Sequence, residues 1–94
     1  MAAKMKMRYL LRKTRGLGIS MPLRAEFIKA ALRSDYERMR ALGATVEDEP
    51  YFYCSTCDSD IWITRYVLSG SSGEIVFEFG HVGPEMYIRR FGTL

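Results

Sequence analysis

At Gly43 the apolar residues change their period. Before it, Leu23, Phe27, Ala31, Met39 and Leu42 recur at near-helical spacing; after it, aromatic and β-branched residues alternate with polar ones along residues 61–68, 74–79 and 85–91. A helical segment followed by strands joined through short turns predicts an α+β fold, with an antiparallel β-meander of three to five strands packed on the helical segment. With 94 residues the chain supports one hydrophobic core, so residues 1–94 are expected to form a single α+β domain.

The N-terminal segment reads as a strand. Met5, Met7, Tyr9 and Leu11 alternate with Lys6, Arg8 and Arg12, which predicts a half-buried N-terminal strand over 5–13 whose outer face carries cations ~7 Å apart. Residues 14–22, with Gly16 and Gly18, read as a flexible connection without a phosphate-loop pattern. Ser20 or Met21 can open a helix that has Pro22 in its first turn. At Ser34 the pattern restarts as Ser-Asp-Tyr-Glu, a capping box in which the Ser34 hydroxyl would accept from the Glu37 amide. One kinked helix or two abutting helices are therefore expected, ended by Gly43 as a left-handed terminator. Thr45 to Glu47 predicts a short strand, Pro50 interrupts it, and Tyr51 to Cys54 begins another.

Charge is segregated along the chain. Residues 1–15 carry +6 from Lys4, Lys6, Arg8, Arg12, Lys13 and Arg15, whereas residues 47–64 carry −5 from Glu47, Asp48, Glu49, Asp58 and Asp60. A basic face of this kind attracts phosphates or acidic protein surfaces. Arginine outnumbers lysine ten to four, and its planar fork suits either phosphate or carboxylate. Such a start would also suit a mitochondrial transit peptide, but the apolar core of a secretory signal is missing, and the segment is read as structure. No apolar run approaches the ~20 residues needed to cross a bilayer as a helix. Two cysteines in one C-x-x-C are too few for the disulfide framework of a small secreted domain, which points to the cytoplasm of a bacterial or phage-infected cell.

Cys54-Ser-Thr-Cys57 lies between strand formers, at a turn where a zinc knuckle would sit. Tetrahedral zinc needs four ligands, and this pair supplies two. His81 is the other good ligand, with Asp58 or Asp60 as a poor fourth, and a dimer with four thiolates would complete the set. Packed thiols, a labile disulfide and a metal site all stay open. Thioredoxin-like chemistry is disfavoured, because it places the first cysteine at a helix N-terminus. His81 has no nucleophile or orienting acid near it in sequence. Glu74 and Glu78 alternate with Ile75, Phe77 and Phe79, as the polar side of a strand would.

The order β-α-β-β-β, with Ala-Leu-Gly-Ala-Thr-Val-Glu-Asp-Glu-Pro at 41–50 and Gly-Glu-Ile-Val-Phe-Glu-Phe at 73–79, resembles a single module of the vicinal-oxygen-chelate (glyoxalase-like) proteins. The resemblance implies paired modules holding a metal with His and Glu. Here the first strand contains no histidine and only Glu78 matches a ligand place, so the metal chemistry does not carry over.

No complete catalytic set, nucleotide loop or metal quartet can be assembled. The expected function is therefore non-enzymatic and without a cofactor: a stoichiometric regulator or inhibitor that docks on a larger protein or nucleoprotein complex, as phage-encoded anti-CRISPR proteins do by analogy of size and charge. The partner-binding candidates are Lys6, Arg8, Arg12, Lys13 and Arg15, a second basic set of Arg38, Arg40, Arg89 and Arg90, and the rings of Tyr51, Tyr53 and Trp62. The alternative is direct nucleic-acid binding, with the same cations on phosphates and the rings stacking on bases. A homodimer interface is a further use for such rings. A zinc or redox module built on Cys54, Cys57 and His81 is the third reading.

Overall fold

The computed structural model describes residues 2–80 and 84–92, and of residues 2–5 and 50–52 the backbone only. Three helices, α1 (Ala2–Lys13), α2 (Met21–Leu32) and α3 (Tyr36–Ala41), precede four strands, β1 (Thr45–Cys54), β2 (Ser59–Ser69), β3 (Gly73–Phe79) and β4 (Glu85–Arg90). The strands form one antiparallel sheet in the order β1-β2-β3-β4, so the α+β class and the meander are as expected.

The first element is a correction, because residues expected as a strand form α1. Two physical reasons favour the helix. Ala2–Lys13 contains no β-branched residue and consists mostly of Ala, Lys, Met, Leu and Arg, the best helix formers. In addition, Met7, Leu10, Leu11 and Thr14 stand at i, i+3, i+4 and i+7, a helical stripe that fits the same residues as the short alternation. That stripe packs on the core, with Thr14 fully buried. The β-α-β-β-β order of a vicinal-oxygen-chelate module is consequently not the order of this chain, and Glu78 is engaged by Arg65 (2.9 Å).

The connection after α1 is also firmer than expected. Leu17 is buried, its carbonyl accepts from the Ser72 amide at 2.9 Å, and the Ser72 carbonyl accepts from the Phe91 amide at 3.0 Å. Gly18 adopts φ +79°, and a Cβ there would collide with Ser71. The segment is thus held on the β2–β3 turn, which fixes where α1 ends and α2 begins. α2 starts at an Ser20 N-cap with Pro22 in its first turn, as expected. α3 is capped one position later than expected: Asp35, not Ser34, accepts from the Arg38 amide at 3.2 Å. Ser34 takes φ +55° at the turn between the helices, so its backbone is not in the extended conformation that an N-cap adopts.

β1 is one strand where two were expected. Between Glu49 and Phe52 it carries one more residue than β2 does opposite, a bulge at Pro50 and Tyr51. Proline has no amide hydrogen to give to the ladder, which makes an edge-strand bulge its natural place. The helices cover one face of the sheet. Phe27 of α2 meets Phe77 of β3 edge-to-face at 5.6 Å, within a cluster that includes Leu10, Ile28, Met39, Leu68 and Ile75.

The opposite face is ionic. Arg65 engages Glu49 and Glu78, and Arg89 engages Glu74 at 2.9 Å and Glu47 at 3.3 Å. Glu47 and Arg89 belong to opposite edge strands, which a flat sheet would hold ~14 Å apart. The sheet must curl for them to meet. Val67 and Val76, paired in register on this face, are buried although they lie outside the helix-side cluster, and the arm of Arg89 crosses this face.

Candidate polyanion-binding groove

Folding residues 2–13 as a helix regroups their charges. Arg8 and Arg12 now stand one helical turn apart on α1, about 6 Å along its axis, and Arg15 follows in the turn after the helix; all three are exposed. Beside them lies α2, and the two elements enclose a cleft of about 380 Å³ lined by Arg8, Leu11, Arg12, Arg15, Met21 and Arg24. Four of its six lining residues are arginines. Among the described residues no carboxylate forms an ion pair with any of them; the recorded pairs involve Lys29, Arg38, Arg65 and Arg89. Like charges gathered in a cleft repel, and an anion in their midst would remove that cost.

Arg24 builds the cleft as well as lining it. Its Nε donates to the Ile19 carbonyl (3.2 Å), and its Nη1 donates to the Leu11 carbonyl (2.7 Å) and to Thr14 Oγ1 (3.0 Å). The Leu11 carbonyl belongs to the last turn of α1, where helical acceptors lack partners and the dipole favours a cation. Hydrogen bonds to a charged group contribute ~1.5–3 kcal/mol each. Arg24→Ala is therefore expected to lower stability by about 2 kcal/mol, roughly 8–16 °C in Tm for a domain of this size, in a thermal melt followed by circular dichroism. A wild-type melting temperature in that variant would contradict the clamp. Sequence reasoning did not nominate Arg24 or Met21, since a strand over 5–13 gives no reason to bring them beside Arg12. The signal was present: a helical reading of the same residues aligns Arg8 with Arg12.

The structure separates the other cations. Lys6 and Lys13 lie on a neighbouring stripe of α1, and Lys13 Nζ donates to the Tyr9 hydroxyl at 3.2 Å. Arg90 reaches the Arg15 carbonyl at 3.5 Å, which adds it to the groove end. Arg40 is exposed on α3. Arg38 pairs with Glu26 (3.4 Å), and Lys29 followed by Arg38 holds the Glu26 carboxyl below its usual range. Arg89 is held protonated by Glu47 and then Glu74, on the ionic sheet face. The expected second basic set is thus not one surface.

The rings stand elsewhere. β3 pairs with β2 only from Thr64 onward, whereas β1 follows β2 to Ser59, so the β1–β2 hairpin extends as a two-stranded arm. Tyr53 and Trp62 are 59% and 63% exposed on it, and the pairing of Tyr53 with Asp60 puts both on the same side. Behind Trp62, Tyr36 stacks on Tyr66 at 5.4 Å and Phe79 meets both edge-on. Tyr53 donates to Asp58, whose carboxylate raises the phenol's pKa. The side chain of Tyr51 and all of His81 lie outside the described residues.

Cys54 and Cys57 are not joined in a disulfide; Cys54 is buried and Cys57 exposed. The Cys54 sulfur receives hydrogen bonds from the Cys57 amide, the Cys57 thiol, and the amide and hydroxyl of Thr56, which together hold its pKa below the usual thiol value against the effect of burial. Among the described residues no group of three or more His, Cys, Asp or Glu is placed to hold a metal ion. No helix of the described residues is long and apolar enough to cross a membrane. Comparison with protein-family models, curated proteins and solved structures finds no match to this chain.

Proposed function

We propose that the protein is a non-enzymatic binding protein whose working surface is the α1–α2 groove, and that the groove takes the phosphate backbone of a nucleic acid, bare or within a nucleoprotein complex. The observation that carries this reading is that Arg8, Arg12, Arg15 and Arg24 line one cleft and, among the described residues, none of them has a carboxylate partner. Arginine presents paired donors to a phosphate, and the helical step between Arg8 and Arg12 is of the order of the ~6 Å that separates phosphates along a strand.

Titration of labelled single- and double-stranded DNA and RNA, followed by fluorescence anisotropy, tests the proposal. Four phosphate contacts give a slope of log affinity against log salt of roughly −3 to −4, or a loss of about 100-fold between ~50 and ~200 mM salt. Absence of binding at the lower salt, or binding insensitive to salt, would contradict it. A second reading, stoichiometric docking on a larger protein, draws support from the exposed Tyr53 and Trp62 on the hairpin arm. It predicts that Trp62→Ala abolishes complex formation while Arg12→Glu does not.

A further inference from the structure

Arg12 lines two cavities. One is the α1–α2 groove; the other, of about 400 Å³, shares Arg12 with it and is lined by Tyr9, Arg12 and Lys13. Tyr9 and Arg12 stand three residues apart on α1, which sets their Cβ atoms about 5–6 Å from each other. The Tyr9 ring is 53% exposed. Lys13 steadies it, since its Nζ donates to the hydroxyl at 3.2 Å and lies 5.4 Å from the ring centroid. Tyr53 and Trp62, which the sequence offers for stacking, stand on the hairpin arm, whereas the groove lies beside the β2–β3 turn that holds Leu17. The ring that the structure sets beside the arginines is Tyr9.

We propose, on the strength of the phosphate-binding groove, that its ligand is a single strand of nucleic acid, DNA or RNA, with one base stacked on Tyr9 while Arg12 and Lys13 hold the flanking phosphate. A stacking ring serves only a ligand whose base faces are free. In a duplex those faces are covered by neighbouring base pairs, and only base edges, sugars and phosphates are within reach. A single strand presents a base with every phosphate, and proteins that hold one without regard to sequence set aromatic side chains along a cationic track. Both parts occur here side by side. Leu11 and the exposed Met21 stand among the four arginines of the groove, and apolar surface of that kind suits a base or a sugar, not a phosphate. Residues 1–25 contain no acidic side chain, so α1 and the start of α2 bring no carboxylate of their own to repel the strand.

The test is fluorescence anisotropy of the full chain with labelled probes of equal phosphate number: an oligothymidylate, an oligouridylate, the thymidylate strand rebuilt with abasic sites, and a hairpin duplex. Both intact strands are expected to bind more tightly than the duplex. Tyr9→Ala should weaken strand binding by roughly 5- to 140-fold, the range for one lost stacking contact. Its duplex affinity and its salt slope should stay, because no phosphate contact is removed. The abasic strand should bind the wild type as weakly as the intact strand binds Tyr9→Ala. Tyr9→Phe keeps the ring and should restore strand binding, with circular dichroism showing both variants folded. Strands bound no better than the duplex, an abasic strand bound as tightly as the intact one, or unchanged strand affinity in Tyr9→Ala would each overturn the stacking site and leave the groove reading in place. Failure to bind any probe at low salt would remove the groove reading and the stacking site with it.

Discussion

Reversing two charges on α1, Arg8→Glu with Arg12→Glu, is expected to weaken polyanion binding about 100-fold while leaving the fold intact. Each charge-assisted contact to a phosphate contributes ~1.5–3 kcal/mol, and two lost contacts amount to about 3 kcal/mol or more, with 1.4 kcal/mol for each tenfold. Repulsion between the new carboxylates and the ligand adds to this. Stability should change little, since both residues are exposed and unpaired among the described residues, and surface substitutions of this type stay within about 0.5 kcal/mol. The dipole disfavours a carboxylate in the last turn, whereas removing cations from a crowded stripe relieves repulsion; the two effects oppose. The neutral pair Arg8→Gln and Arg12→Gln should fall between the wild type and the reversal, and the salt slope should drop by about one for each contact removed. Unchanged affinity in the double reversal would remove α1 from the binding surface.

Phe77→Ala is expected to cost 3–5 kcal/mol, the largest stability loss of any substitution considered. Phe77 is 1% exposed and lies against the fully buried Phe27, so truncation leaves a cavity between the sheet and α2 that neighbours on two rigid elements cannot fill. Against a total stability of about 5–15 kcal/mol the loss is large, and Tm should fall by ~20 °C in a denaturation scan. Trp62 makes the contrast. At 63% exposure, replacing it with alanine should move Tm by only a degree or two. A large drop for Trp62→Ala, or a small one for Phe77→Ala, would contradict the burial of Phe77 against α2 and the exposure of Trp62 on the hairpin arm.

How much of this was legible in the sequence depends on the length of each pattern. The pattern over Ile61 to Leu68 was long enough to specify a strand, and the alternation over Glu74 to Phe79 specified both strand and face: the described register has Ile75 and Phe77 toward the helices and Glu74 and Glu78 away. The start of α2 was legible because Ser20 and Pro22 act locally. The first element was not, because nine residues of alternation also satisfy a helical stripe through Met7, Leu10, Leu11 and Thr14, and intrinsic propensity decided between them. That single reversal concealed the groove, since helical spacing is what aligns Arg8 with Arg12, and the turn that follows α1 is what adds Arg15 and leads to Arg24. The pairing of Arg65 and Arg89 with four glutamates was equally hidden. It depends on sheet order and curl, which bring Glu47 and Arg89, 42 residues apart, to the same place.

Backbone amide shifts in a ¹H–¹⁵N spectrum, followed as a short oligonucleotide is added at low salt, bear most directly on the groove. Changes concentrated at Arg8, Leu11, Arg12, Arg15, Met21 and Arg24, and reversed by salt, are expected. Changes confined to Tyr53 through Trp62 with α1 unmoved, or a spectrum that does not respond, would contradict a phosphate-binding surface between α1 and α2.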